Sequence, residues 1–195
     1  WCKNIVITER TPILNSAIEE LTAGISGLLG EETLVTNSPE DDQYLLVGRI
    51  ENNSLINNEL TAEEKEAVGE EGFLLKTINR DEESLIIVTG KTDKGILYGT
   101  YQLLRLMQQQ ASITDLNLLD NPKNQLRLIN HWDNLDGSIE RGYAGDSIFY
   151  EEGRLTYDLD RVRDYARLLA SIGINGVAIN NVNVDREETQ LISGR

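Results

Sequence analysis

Apolar residues recur along this chain at two spacings, and the switches between them mark its elements. Alternation over residues 3–8 predicts a first strand. Thr11-Pro12 then supplies a hydroxyl N-cap followed by proline at the first helical position. Ile13, Leu14, Ala17, Ile18, Leu21, Ile25, Leu28 and Leu29 follow at helical spacing until Gly30 ends the run. Residues 34–35 and 44–47 are the next strand candidates, separated by an acidic loop containing Pro39. Residues 52–58 form a polar turn region, and residues 61–68 a short acidic helix. Residues 73–78 and 85–88 read as paired strands joined by the turn Asn79-Arg80-Asp81. A second long helix over residues 93–109 buries Ile96, Leu97, Thr100, Leu103, Leu104 and Met107.

The rhythm changes after residues 111–123, which read as a connector with Asp120-Asn121-Pro122 as its stop signal. From Gln125 onward every basic residue is arginine, whereas lysine is common before it. Residues 126–130 predict a strand, followed by a long polar loop to about residue 157. Thr156 or Asp158 then caps a helix with Leu159, Val162, Tyr165, Ala166, Leu169 and Ile172 on one face. Gly173 ends it, and residues 174–179 form an apolar strand running into Asn180-Asn181-Val182-Asn183. That is one βαβ unit, whose strands are expected to pair in parallel. The predicted architecture is α/β. Residues 1–121 form a β/α sandwich, a small sheet with helices packed on it, and residues 122–195 begin a second α/β domain. Two parallel strands cannot close a core, so the chain reads as a fragment of something larger.

Charge narrows the partners. The formal net charge of -15 repels phosphate backbones and argues against nucleic acid. No apolar run approaches the roughly 18 residues of a membrane span. A single cysteine, Cys2, excludes an internal disulfide and any cysteine-based metal cluster. Nothing in the pattern calls for a metal or an organic cofactor. Thr89-Gly90-Lys91-Thr92 sits between a strand and a helix, where a phosphate-binding loop would lie. Its required first glycine is replaced by Leu85 in mid-strand, so no nest of amides is expected there. The chain opens at Trp1 without an initiator methionine. A processed or engineered start accounts for that, and a secreted or periplasmic setting is favoured over the cytoplasm.

The candidate chemistry lies in residues 126–145. After the short apolar strand, His131, Trp132, Asp133, Asn134, Asp136, Glu140, Arg141 and Tyr143 crowd among Gly137, Gly142 and Gly145. An indole beside a carboxylate and an amide suits a sugar, whose C–H face stacks while its hydroxyls are held. A surface loop with a packed tryptophan explains the same composition, a lone histidine at a strand end is more often structural, and the Asn180–Asn183 run also suits a turn. Glycoside hydrolysis needs two carboxyl groups roughly 5 to 9.5 Å apart. Asp133, Asp136, Glu140 and Asp146 share one loop, where bonds to Arg141 and Arg154 are the expected role. No catalytic residue is assigned within the chain.

The run Asn130-His131-Trp132-Asp133-Asn134-Leu135-Asp136-Gly137-Ser138-Ile139-Glu140-Arg141-Gly142-Tyr143-Ala144-Gly145 closely resembles the opening of the catalytic barrel in family 67 glycoside hydrolases, the α-glucuronidases. Ile172-Gly173-Ile174-Asn175-Gly176 and Asn180-Asn181-Val182-Asn183 resemble their second barrel strand. Glu70-Glu71-Gly72-Phe73-Leu74-Leu75-Lys76 and the stretch from Val88-Thr89-Gly90 to Tyr98-Gly99 resemble their N-terminal domain. That domain type is shared by other barrel glycosidases, hexosaminidases included. The resemblance implies the first βαβ unit of a (β/α)8 barrel in an inverting enzyme. Its implied reaction is removal of (4-O-methyl)glucuronic acid from glucuronoxylan-derived oligosaccharides. It places the acid and base carboxylates on later strands, beyond this chain, and any oligomer would form through those missing regions. It also implies a near pocket wall with Trp132 as stacking platform and Asp133, Asn134, Asn181, Val182 and Asn183 lining it. Asp146 departs from the pattern, which has a basic residue after Gly145. The alternatives are a non-catalytic carbohydrate-binding or scaffold protein, or a hexosaminidase-type barrel glycosidase.

Overall fold

Side chains alternate along β1 (Asn4–Ile7), sending Ile5 and Ile7 into one hydrophobic cluster and Val6 into another. The computed structural model describes residues 3–81 and 84–179. The chain divides into two compact units, residues 1–125 and 126–195. In the first unit α1 (Pro12–Leu29) begins as its sequence requires. Thr11 Oγ1 accepts from the Leu14 amide at 3.1 Å, and Gly30 closes the helix in the left-handed region at φ 70°. The remaining elements are β2 (Leu34–Thr36), β3 (Gln43–Arg49), α2 (Ser54–Glu59), α3 (Ala62–Ala67), β4 (Phe73–Asn79), β5 (Ser84–Gly90), α4 (Asp93–Gln108) and β6 (Asn117–Asp120).

The strands form one six-stranded sheet in the order β2-β1-β3-β5-β4-β6. β1, β2, β3 and β5 run parallel, with Ile5 opposite Leu45 and Leu45 opposite Ile86. The antiparallel hairpin β4–β5 and the strand β6 complete it. One sheet face packs against Leu14, Ile18, Leu21 and Ile25 of α1 and Ile96, Leu103 and Leu104 of α4. The opposite face is covered by Ile50, Ile56, Leu60 and Val68, from the segment that carries α2 and α3. Helix α4 turns slightly from the predicted face. Gly95 and Gly99 are buried with Ile96, Thr100, Leu103 and Leu104, whereas Leu97 and Met107 are only half-buried.

Two segments differ from their sequence reading. The polar turn at residues 52–58 contains α2, because the buried Asn53 side chain accepts from the amides of Leu55 (3.0 Å) and Ile56 (3.2 Å). The supposed connector holds β6, a sheet edge. Beyond it Asn121 clips the loop before β4, accepting from the Gly69 amide at 2.6 Å and donating to the Ala67 carbonyl at 2.9 Å. Side chains of the Thr89–Thr92 turn bond to carbonyls of the segment before β4. Thr92 Oγ1 donates to the Glu70 carbonyl (2.5 Å) and Lys91 Nζ to the Glu66 carbonyl (3.3 Å).

In the second unit β7 (Leu128–Asn130) pairs in parallel with β10 (Gly176–Ala178), Ile129 opposite Val177. Between them run the hairpin β8 (Tyr150–Glu151) and β9 (Arg154–Leu155) and the helix α5 (Asp160–Ser171). Asp158 Oδ1 accepts from the Asp160 amide at 3.0 Å, and Thr156 Oγ1 from the Asp158 amide at 3.2 Å. The N-cap position of α5 is Leu159, with no side-chain cap bond, so neither predicted residue is the cap and the two instead brace the turn that leads into the helix. The architecture is mixed α/β, and no helix among the described residues is long and apolar enough to cross a membrane.

Candidate functional site

The extended backbone leaving β7 carries successive side chains to opposite sides. The Asp133 side chain is 1% exposed, whereas Trp132 between it and His131 is 39% exposed. The backbone of this tripeptide is clamped from both directions. The His131 amide donates to the Ala178 carbonyl of β10 at 2.7 Å, and the Trp132 carbonyl accepts from the Glu140 amide at 2.7 Å. Asp133 and Ile139 form an antiparallel bridge. An exposed indole thus stands on a backbone that is fixed at every step.

The loop folds back because its polar residues bond to one another. Asn134 donates its amide N–H to the Ser138 carbonyl (2.8 Å), and its side chain donates to Ser138 Oγ (2.9 Å) and the Glu140 carbonyl (2.7 Å). Asp136 Oδ1 accepts from both the hydroxyl (2.7 Å) and the amide (2.9 Å) of Ser138, which holds its carboxyl below the usual range. Glu140 lies in the left-handed region at φ 58°, a strained position for a residue with a β-carbon. Its carboxylate bonds the exposed phenol of Tyr143, and that bond raises the Tyr143 pKa. Serines and amides, rather than Arg141 or Arg154, therefore hold the Asp133 and Asp136 carboxylates. Arg154 lies 3.6 Å from Glu152 and over the Tyr157 ring.

Beneath Trp132, Asp133 Oδ2 accepts from the Ser147 hydroxyl. The same oxygen of Ser147 accepts from the amides of Phe149 and Tyr150, both at 3.0 Å. Asp133 Oδ1 has no hydrogen-bond partner within the usual distance and faces His131 Nδ1 at 3.4 Å. On the far edge of that ring, His131 Nε2 lies 2.8 Å from the Tyr165 hydroxyl of α5. Phe149 and Tyr165 meet the imidazole edge-on, at centroid distances of 5.1 and 5.4 Å. Burial, with the Asp133 charge adding to it, raises the Tyr165 pKa. Both nitrogens of His131 therefore face polar partners within the unit. A cleft of about 610 Å³ opens beside it, lined by His131, Asp133, Ile139 and Tyr165, and Trp132 is not part of that lining.

Of the residues the sequence singled out, Trp132, Asp133 and Asn134 lie together on this loop. Trp132 is exposed, while the side chains of Asp133 and Asn134 are engaged within the loop. Asn181, Val182 and Asn183 lie outside the described residues. Ser147 carried no signal in sequence and Tyr165 was placed only on the apolar face of its helix, their partners being 14 and 34 positions away. Among the described residues no group of three or more His, Cys, Asp or Glu could hold a metal ion.

The fold is one used by large carbohydrate-active enzymes. A family GH115 4-O-methyl-α-glucuronidase with specificity for decorated arabinogalactans superposes with a TM-score of 0.60 at 16% identity, over 90% of this chain and 25% of its own. A GH138 enzyme targeting pectin rhamnogalacturonan II does so with a TM-score of 0.56 at 20% identity, over 96% of this chain and 22% of its own. Sequence goes further: the chain belongs to glycosyl hydrolase family 67. Residues 1–103 match the family 67 N-terminus and residues 106–193 the family 67 middle domain. α-Glucuronidase A of Emericella nidulans is 36% identical over 180 residues, and the probable α-glucuronidase A of Aspergillus oryzae 37% identical over 179. The matches take in 88% and 91% of this chain but 20% of each relative.

Proposed function

We propose that the chain contributes the N-terminal domain and the start of the catalytic domain to an inverting α-glucuronidase. Its substrates are xylan-derived oligosaccharides carrying (4-O-methyl)glucuronic acid. The observation that carries this reading is the family 67 match across the chain, with relatives named as α-glucuronidases. The parallel β7–α5–β10 unit supports its assignment as the first βαβ unit of a (β/α)8 barrel. Trp132 follows the C-terminal end of β7, where such barrels place their binding loops. In this reading the indole covers the apolar face of a sugar ring. Asp133 and Asn134 belong to the same wall and shape it from within the loop. Asn181, Val182 and Asn183, which follow β10 in sequence, complete the wall. The acid and base carboxylates come from residues after Arg195.

The test is uronic acid release from aldouronic oligosaccharides by the gene-length protein and by this 195-residue chain. Release by the longer protein alone is the expected result. Replacing Trp132 by Ala in it is expected to raise KM roughly tenfold, the equivalent of about 1.4 kcal/mol of lost binding. Release by the short chain would place the chemistry on Asp136, Glu140 or Asp146 instead. A folded gene-length protein that binds such oligosaccharides without cleaving them would make this a binding protein.

A further inference from the structure

Between β7 and α5 lies a partly buried chain of polar groups, with a buried carboxylate within it, that sugar contact alone does not require. Ser147, Asp133, His131 and Tyr165 are linked in that order, and the two central members flank Trp132 in sequence. Burying a carboxylate is costly unless its charge is answered. Here a hydroxyl and an imidazole edge answer it, in a place where an apolar side chain would pack at less cost. The Ser147 hydroxyl is fully used, donating once to Asp133 and accepting twice from the Phe149 and Tyr150 amides. The imidazole faces the Asp133 carboxylate with Nδ1, at 3.4 Å, and the Tyr165 hydroxyl with Nε2, at 2.8 Å, so its two nitrogens address two different elements. On either side of Trp132, a side chain is tied to a distant part of the unit: Asp133 to the loop before β8, and His131 to α5.

We infer that Ser147 and Tyr165 are positioning residues that act through Asp133 and His131 to hold the Trp132 platform in the attitude a sugar ring needs. The inference rests on the sugar-platform reading of Trp132 given above. A site loosened by about 1 Å loses binding even when every contacting group is present. Removing the Ser147 hydroxyl leaves Asp133 Oδ2 buried without its donor and releases the side-chain tie on one side of Trp132. Neither Ser147 nor Tyr165 needs to touch the oligosaccharide.

The experiment is a double-mutant cycle in the gene-length protein, with kcat and KM for an aldouronic oligosaccharide and the thermal midpoint measured for each variant. Ser147→Ala is expected to raise KM by roughly tenfold with little change in kcat, since the platform serves ground-state binding. Ser147→Thr, which keeps the hydroxyl, is expected to stay near the parent KM. Added to Trp132→Ala, Ser147→Ala is expected to raise KM no further. Tyr165→Phe removes one hydroxyl and no ring, so it is expected to raise KM less, and again only when Trp132 is present. It decides the matter if Ser147→Ala does not fold. A purely structural network would lower the thermal midpoint and leave KM unchanged, or would raise KM equally with and without the indole. Either result overturns the inference while leaving the platform intact. If Trp132→Ala itself leaves KM unchanged, the platform reading fails, and the inference fails with it.

Discussion

Gly95, in the first turn of α4, packs against backbone rather than side chain. A β-carbon there would lie 2.0 Å from the carbonyl oxygen of Gly72, the residue before β4. Neither partner is a flexible side-chain end, so something in the frame must move. Gly95→Ala is therefore expected to destabilise the chain by about 1–3 kcal/mol, the usual cost of overpacking. Gly27, in the last turns of α1, meets nothing within 4 Å. Gly27→Ala is expected to stabilise by roughly 0.5–1 kcal/mol, because alanine loses less backbone freedom in a helix. Urea unfolding of both variants tests the contrast. Equal effects would mean that the Gly72 contact does not constrain α4. The site divides at this scale too. Trp132 beside carboxylates and amides is visible in sequence as a composition. Ser147 is not, since a serine between Asp146 and Ile148 carries no signal until the loop brings it back to Asp133. The left-handed backbone at Glu140 has no sequence signature either, because non-glycine residues rarely adopt it.

Elements with a strong period were legible, and those held by a single contact were not. The 3.6-residue pattern and the Thr11-Pro12 start are sufficient for α1, whereas β1 is a short apolar run, Ile5-Val6-Ile7, buried on both faces rather than alternating. Helix α2 is six residues of mixed polarity whose visible cue is Asn53, a residue equally suited to a turn. Strand β6 is four residues with mostly exposed side chains, so only its pairing with β4 identifies it. The strand order could not be read, because β1, β3 and β5 have similar apolar runs and any of them could be central. Helix α4 shows how far periodicity reaches, giving the helix but blurring its face. Leu103 is fully buried against α1 and the sheet, whereas Leu97 is half-buried at the flank. Leu103→Ala is expected to cost about 2–5 kcal/mol. Leu97→Ala is expected to cost well under half as much, since less of the side chain leaves water on folding. Chemical denaturation with an unchanged m-value checks both. Comparable losses would put the buried stripe one position round the helix.

Across the whole molecule, charge works in two opposed ways. A net charge of -15 at neutral pH makes the folded chain repel itself, and that repulsion is spread over distances that salt screens. Glu9 and Glu64, whose ion pairs are partly shielded from water, stand apart from this diffuse field. Burial pushes the Glu9 pKa up, but hydrogen bonds from the Arg49 side chain and amide and from Asn52 outweigh it, so the pKa lies below its ordinary 4.5. Glu64 is held down in the same way. Burial opposes its charge, and Lys76 Nζ at 2.7 Å together with the Thr61 amide overcomes that. A folded pKa below the unfolded one means that the unfolded state binds more protons as pH falls. The stability from Glu9 and Glu64 is therefore complete above about pH 4.5 and is lost as pH drops through their folded values. Urea midpoints for the parent chain and Glu9→Gln, measured from about pH 7 to pH 3, separate the two effects. The parent is expected to be the more stable at neutral pH, with the gap narrowing towards zero at the acid end. Added salt at pH 7 should raise both midpoints and reduce the gap only slightly, since Arg49 Nη2 lies 2.6 Å from Glu9. A gap that ignores pH would mean that Glu9 contributes through packing, and that its charge adds nothing to the fold.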